Sequence, residues 1–283
     1  MEIENTFTFA SYNPTIRQAN AEHIERDLEC QQLINELRDI EEVLRGFGFL
    51  TFGRDFVFGT SVFFSLENVL TSLELTLGSV IVCCESACIA DANTLLRKYR
   101  DDLFFYLYIS AYNSLDKHSE KAKAMETNIA KWLKNDLVDF QISQVLKSIA
   151  TAPQLRNAVL KFNLKESFQK INDTLNDYVH SNGYSYYNRS ANSYRKDELV
   201  AELRKLVGNA RYMTIVFLLL LIFCSPVSVM SGDHIDCLEL NITPPKDSQY
   251  WVAPFVEHFV KKNISLIDTN CLDYLRENTM MQF

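Results

Sequence analysis

The residue in this sequence best suited to acid–base chemistry is His180, which lies in the segment LNDYVHSNGY. A histidine side chain exchanges protons close to neutral pH, so it can serve as a general acid or a general base. Tyrosines surround it in the sequence, at positions Tyr178, Tyr184, Tyr186 and Tyr187. A histidine that ends a helix is more often structural, because the helix dipole and the last carbonyl groups stabilise it. His180 is therefore the candidate catalytic residue, and helix capping is its alternative role.

A second group of side chains, further along the chain, is dense in potential metal ligands: Asp233, His234, Asp236, Cys237 and Glu239. The group mixes hard and soft donors, and its spacing matches none of the paired motifs that hold structural zinc. We favour a solvated acidic loop and predict no metal site and no cofactor. The sequence also lacks the glycine-rich phosphate loops and the hydrolase and zinc-protease motifs, which argues against those classes of enzyme.

Two further sets of reactive side chains are expected to be structural. Seven cysteines, an odd number with several in apolar stretches, indicate reduced and buried thiols rather than a disulfide framework. Glu67 and Glu74 lie seven residues apart and could act as paired carboxylates. Buried acids are usually neutralised, and we expect a basic residue such as Arg97 or Lys98 to do this.

Two segments resemble bacterial HEPN-like and abortive-infection families of helical proteins. Those families have a core helix of the form ADAxxLLR, which residues 90–97 match, and a later helix that ends in a sequence such as YVH, which residues 178–180 match. The resemblance covers about residues 60 to 185. It implies a helical scaffold of the kind used in bacterial phage-defence and stress responses.

The resemblance does not extend to the nuclease motif. Ribonucleases of the HEPN group carry an arginine about four to six residues before the histidine, whereas residues 173–176 of this chain read Asp-Thr-Leu-Asn. Arg97 or Arg100 can approach His180 only if the fold brings them together. The sequence itself gives no sign of such a contact.

The elements that must position these residues are long helices. Glycine and proline are scarce, with eight and six residues, so turns are few. Apolar residues recur at helical spacing from 16 to 45, where Gly46 and Gly48 are expected to end the helix. A buried core helix is predicted at 61–88. Further helices are predicted at 90–113, 117–133, 136–150, 155–180 and 196–211, with two short ones at 252–262 and 268–277, and residues 47–58 are a hairpin or a packed loop. The predicted fold is all-α, a bundle of long helices with one late, strongly apolar helix.

That late helix, at 213–230, is also a candidate transmembrane segment. It contains eighteen residues without a charge, and a bilayer core of roughly 30 Å needs about 20 apolar residues in a helix. Basic residues precede it, among them Arg204, Lys205 and Arg211, which predicts a single-pass protein with a cytoplasmic N-terminal part. The domains would then be 1–210, a membrane segment at 211–231, and a tail at 232–283. The alternative is a cytoplasmic protein in which this segment is a buried core helix.

The function favoured by the sequence is a helical interaction or effector protein without catalytic activity. It would be anchored to a membrane through 213–230, would bind protein partners or itself, and would act in a bacterial phage-defence or stress response. The alternatives are a soluble HEPN-like enzyme that acts on RNA around His180, or a soluble helical partner protein without an active site. The net charge of −8 gives the whole chain no general attraction to nucleic-acid phosphates.

Overall fold

The computed structural model describes residues 9–51, 55–58, 62–134, 136, 142–151, 153–180, 182, 186 and 196–283, and within them the predicted all-α fold is confirmed. The long helices are α1 (Phe9–Arg26), α2 (Leu28–Thr51), α3 (Leu66–Glu85), α4 (Ile89–Ser114), α8 (Leu164–His180) and α9 (Lys196–Cys224). The shorter helices are α5 (Glu120–Leu133), α6 (Ile142–Ile149), α7 (Pro153–Lys161), α10 (Asp233–Glu239), α11 (Pro254–Asn263) and α12 (Cys271–Asn278). One hairpin of β1 (Asp55–Phe58) and β2 (Val62–Ser65) interrupts them, with Asp55 opposite Ser65 in antiparallel register.

The helix predicted at 16–45 is in fact two helices that meet at Asp27. The Oδ1 atom of Asp27 accepts a hydrogen bond of 3.0 Å from the backbone N–H of Cys30, which caps the first turn of α2. This bond lowers the pKa of the Asp27 carboxyl, because it stabilises the charged form. Asp27 therefore ends one helix and begins the next, a role that hydrophobic periodicity does not reveal.

Gly46 and Gly48 do not end α2, which continues to Thr51. A Cβ atom at Gly46 would lie only 2.8 Å from the ring of Phe255 on α11, so the missing side chain admits this ring against the helix. Phe255 also packs edge-to-face on Phe47, with ring centroids 5.7 Å apart. The glycine at position 46 thus serves helix packing and not helix termination.

The helix predicted at 155–180 is also divided, into α7 and α8. Asn163 between them adopts a left-handed backbone conformation with φ of 46°. Asparagine tolerates this region better than most residues, so the chain can turn there without a glycine. The turn sets the start of α8, the helix that carries His180 at its C-terminus.

The apolar residues of α9 are buried on every face. All ten residues from Met213 to Ile222 have at most 1% of their surface exposed. Phe217 packs against Phe47 and Tyr106, with ring centroids 6.5 and 5.5 Å apart. Among the described residues, α9 and residues 67–85 of α3 are long and apolar enough to cross a membrane, with mean hydropathies of 2.0 and 1.3 over an 18-residue window of each. Length and composition alone do not distinguish such helices from the core helices of soluble proteins.

Contacts group the chain into two units. One contains 1–41, 75–99 and 169–211, and the other contains 42–74, 100–168 and 212–283. In the second unit the C-terminal tail packs on the helical body: Phe255 lies against Phe47 of α2, and Val256 and Phe259 are buried. Within the tail, Trp251 pairs with Gln282 through the backbone. The division of the chain at 210 and 231 stays a prediction.

Candidate functional site

The C-terminal turn of α8 holds His180 at the end of a well-anchored helix. Tyr178 is 3% exposed, and its hydroxyl donates a hydrogen bond of 2.9 Å to Glu202 Oε2 on α9. Asn182 binds back to Asp177 twice, through its backbone N–H to the carbonyl at 3.0 Å and through its side-chain amide to the carboxylate at 3.1 Å. These contacts fix the last turn of the helix, while His180 itself is exposed.

The fold brings Arg97 of α4 to this histidine. Arg97 Nη1 lies 3.5 Å from His180 Nε2, although the two residues are 83 positions apart in the sequence. The neighbours of Arg97 on α4, Leu96 and Tyr99, are completely buried and hold the helix in place. The guanidinium is half-buried and the imidazole exposed, so both groups can be reached from solvent.

The pairing selects between the two arginines that the sequence left open. Arg97 and His180 belong to the first unit, whereas Arg100 belongs to the second. Arg100 is 3% exposed and donates a hydrogen bond of 2.7 Å to Asp101 Oδ1. Arg97 points its guanidinium at His180, and Lys98 beside it donates to Thr76 Oγ1 at 3.0 Å. Arg97 is therefore the cation that accompanies the predicted catalytic residue.

Asn176 lies one helical turn before His180, on the same face of α8. Its side-chain Oδ1 is buried and has no hydrogen-bond partner among the described residues. An unpaired buried acceptor costs free energy, so this atom is a ready partner for a water molecule or a ligand N–H or O–H. Of the predicted tyrosines, Tyr186 packs edge-to-face on Tyr178 at 5.1 Å, whereas Tyr184 and Tyr187 lie outside the described residues.

An arginine beside a histidine is suited to chemistry on a phosphate group. The guanidinium offers several N–H donors and a fixed positive charge to anionic oxygens. The imidazole can remove a proton from a hydroxyl or return one to a leaving group. Nε2 can accept a proton only in the tautomer that carries its hydrogen on Nδ1.

The acidic segment after α9 forms a short helix, α10, where a loop was predicted. His234 in this helix contacts Ser248, with Nδ1 and Oγ 3.2 Å apart. Among the described residues, no three His, Cys, Asp or Glu side chains converge as metal ligands.

The basic residue that pairs with Glu74 differs from the two residues that the sequence suggested. Glu74 accepts a hydrogen bond of 2.9 Å from Arg45 Nε on α2, not from Arg97 or Lys98. All seven cysteines are free, as predicted. Burial raises the pKa of the Cys84 thiol far above its usual value, which makes it an unreactive core residue.

Sequence reasoning selected His180 as a candidate and named Arg97 only as one of two arginines that the fold could bring near it. The contact joins α4 and α8 across 83 residues, and no local pattern encodes which arginine of α4 faces α8. No family model matches the chain, and no curated protein or solved structure is significantly similar to it.

Proposed function

We propose that this chain is a soluble helical enzyme that acts on RNA, with Arg97 and His180 as its reactive pair. One observation carries the proposal: two side chains that suit phosphodiester chemistry lie 3.5 Å apart at the surface. The resemblance of residues 90–97 and 178–180 to HEPN-like proteins agrees with it, because the arginine missing from α8 is supplied by α4. The arginine of this pair therefore comes from α4 and not from the residues just before the histidine, where HEPN ribonucleases carry it.

The chemistry needs a nucleophile, and RNA carries one in its 2′-hydroxyl. His180 removes the proton of that hydroxyl, the oxygen attacks the adjacent phosphorus, and the bond to the 5′-oxygen breaks. The 5′-oxygen takes up a proton from the imidazolium or from water, so the proton count balances. The expected products are a 2′,3′-cyclic phosphate and a 5′-hydroxyl end.

Arg97 contributes charge in this reaction. Negative charge builds on the phosphate oxygens as the bond forms, and a guanidinium at that place stabilises the transition state. The net charge of −8 means that RNA is not attracted over long distances. Recognition then depends on local cations such as Arg97, and a short or structured RNA is the expected substrate.

The burial of α9 supports the soluble form. A helix that spans a bilayer alone exposes its apolar side chains to lipid, whereas residues 213–222 are surrounded by protein. Two of the basic residues before this segment also have partners within the fold. Arg211 donates to Glu36 Oε2 at 2.6 Å, and Arg204 forms an ion pair with Glu29.

Cleavage of short fluorescent RNAs by the purified chain tests the proposal. His180→Ala is expected to slow cleavage by about 10²- to 10⁴-fold, the usual contribution of a general base. Arg97→Ala is expected to cost about 10²-fold or more, and Arg97→Lys is expected to recover part of this loss because it keeps the charge.

His258→Ala and Arg26→Ala are matched controls, since both side chains are exposed and neither belongs to the pair. Circular dichroism of each variant separates lost catalysis from lost folding. RNA that the wild-type chain leaves intact, or cleavage that survives in His180→Ala, contradicts the proposal. A product with a 3′-hydroxyl end contradicts the proposed 2′-hydroxyl attack.

A second candidate function is a membrane-anchored effector that binds protein partners or itself through its helical body. The observation that favours it is the length of α9, 29 residues, with an 18-residue window whose mean hydropathy is 2.0. In this form α9 would leave the protein core, and the N-terminal part would be cytoplasmic. Centrifugation of lysed cells without detergent distinguishes the two: chain in the membrane pellet favours the anchor, and chain in the supernatant favours the soluble enzyme.

A further inference from the structure

A cleft of about 810 Å³ in the second unit is lined by positive and neutral polar side chains. Lys121 enters it from α5, Lys147 from α6 and Arg156 from the first turns of α7. Clefts of this size hold small-molecule ligands in other proteins, where the usual range is roughly 300 to 1,000 Å³. The cleft is therefore large enough for a metabolite.

The charge of this cleft is opposite to that of the protein. The chain carries a net charge of −8, yet three cations meet here and none of the described lining residues is acidic. No ion pair joins Lys121, Lys147 or Arg156 to a carboxylate within the described part of the chain. Like charges that converge without a counter-charge repel each other, so an anion would relieve the repulsion.

A hydroxyl group at the cleft also has no partner. The Oγ1 atom of Thr151 is buried and makes no hydrogen bond to any part of the chain that the structure describes, although the residue lines the cleft. A buried hydroxyl without a partner costs free energy, and ligand oxygens that accept from it would remove that cost. Ser148 and Asn157 add further neutral donors to the same lining.

Arg156 and Asn157 both belong to the first two turns of α7 and both line the cleft. Phosphate oxygens combine negative charge with several acceptor sites, which matches cations, a hydroxyl and an amide together. A single phosphate would fill only a small part of the volume.

We propose that this cleft binds a small soluble compound with two or more phosphate groups, such as a nucleoside diphosphate. Lys121, Lys147 and Arg156 bind the phosphate oxygens, and Thr151 donates a hydrogen bond to one of them. The remaining volume accommodates the organic part of the ligand. This assignment does not depend on the reaction proposed for Arg97 and His180.

Isothermal titration calorimetry with ADP and with inorganic pyrophosphate, at low ionic strength, tests the assignment in the purified chain. The triple variant Lys121→Gln, Lys147→Gln, Arg156→Gln is expected to bind at least about 100-fold more weakly, because each charged contact contributes about tenfold or more. The matched control is Lys123→Gln, Lys165→Gln, Lys246→Gln. It removes the same charge at three exposed lysines outside the cleft lining.

The assignment is wrong if neither ADP nor pyrophosphate binds with a measurable saturable isotherm. It is also wrong if the control weakens binding as much as the triple variant, because net charge alone would then explain the affinity. Single-stranded RNA that binds at the same residues, and more tightly as its length increases, would contradict a small-molecule site. Binding of ADP that only the cleft variant loses supports the assignment.

Thr151→Val supplies a second test that does not depend on charge. Valine has nearly the same shape but no hydroxyl, so removal of an unpartnered group is expected to leave the Tm of the free protein unchanged or higher. Binding of pyrophosphate is expected to weaken by about tenfold, the loss of one hydrogen bond to a charged group. A lower Tm without any change in affinity would contradict the role given to this hydroxyl.

Discussion

Replacement of one buried leucine in α9 measures whether this helix belongs to a protein core. Leu220 has no exposed surface, and its neighbours on both sides along the helix are equally buried. A Leu→Ala change at such a site removes apolar burial and leaves a cavity, which together cost about 2 to 5 kcal/mol. Ten consecutive buried residues leave little room for collapse, so we expect about 3 kcal/mol at Leu220.

The assay is urea unfolding of Leu220→Ala without detergent, followed by circular dichroism. With an m-value of about 3 kcal/mol/M, the midpoint is expected to fall by about 1 M urea. Leu160→Ala on α7 is the matched control, because Leu160 is 67% exposed and its change is expected to cost less than about 0.5 kcal/mol.

The reasoning is refuted if Leu220→Ala and Leu160→Ala shift the midpoint equally. It is also refuted if the wild-type chain unfolds cooperatively only when lipid or detergent is present. Either result would mean that residues 213–222 do not lie in a water-stable core. Loss of about 3 kcal/mol leaves a typical domain folded, so the variant remains measurable.

Three further predictions concern local features of the first helices. Gly48→Ala is expected to stabilise the protein by about 1 kcal/mol, because a helical glycine is replaced where no described atom lies within 4 Å. Gly46→Ala is expected to destabilise it by about 1 kcal/mol, because the added methyl group overpacks against Phe255, and thermal unfolding compares the two variants. The pKa of the Asp27 carboxyl is lowered in the folded state, so its contribution to stability is present above the unfolded pKa and is lost as the pH falls through the folded pKa. Asp27→Asn should therefore lose less stability than wild type on acidification, as measured by urea unfolding across pH 2 to 6. Burial raises the pKa of Cys30 to about 11, so maleimide at pH 8 should label Cys237 first and Cys30 only on unfolding, with mass spectrometry as the readout.

Helices with strong local patterns were predictable from the sequence. The segment predicted at 90–113 is α4, Ile89–Ser114. The charged helix at 196–211 continues into the apolar run as α9, which ends at Cys224 and not at the predicted 230, because Pro226 cannot continue the helix. Both carry apolar residues at helical spacing over many turns, so local information is sufficient. The apolar run also suggested a membrane segment, because hydropathy does not depend on what surrounds a helix.

Features that depend on distant residues were not predictable. Gly46 was expected to end a helix, but its role depends on Phe255, more than two hundred residues later. The contact of Arg97 with His180 needs the relative rotation of two helices, which the spacing within either helix does not contain. The basic cleft is lined by Lys121, Lys147 and Arg156, which lie on three separate helices. No run of basic residues in this acidic sequence therefore predicts it.

A double-mutant cycle in RNA cleavage tests most directly whether Arg97 and His180 work together. The rates of wild type, His180→Ala, Arg97→Ala and the double variant are measured on one RNA. If the two side chains act on the same phosphate, the double variant should be little slower than the slower single variant, because residues that act as a unit are strongly non-additive. Losses that simply multiply, or rates that none of the variants changes, would contradict a shared site.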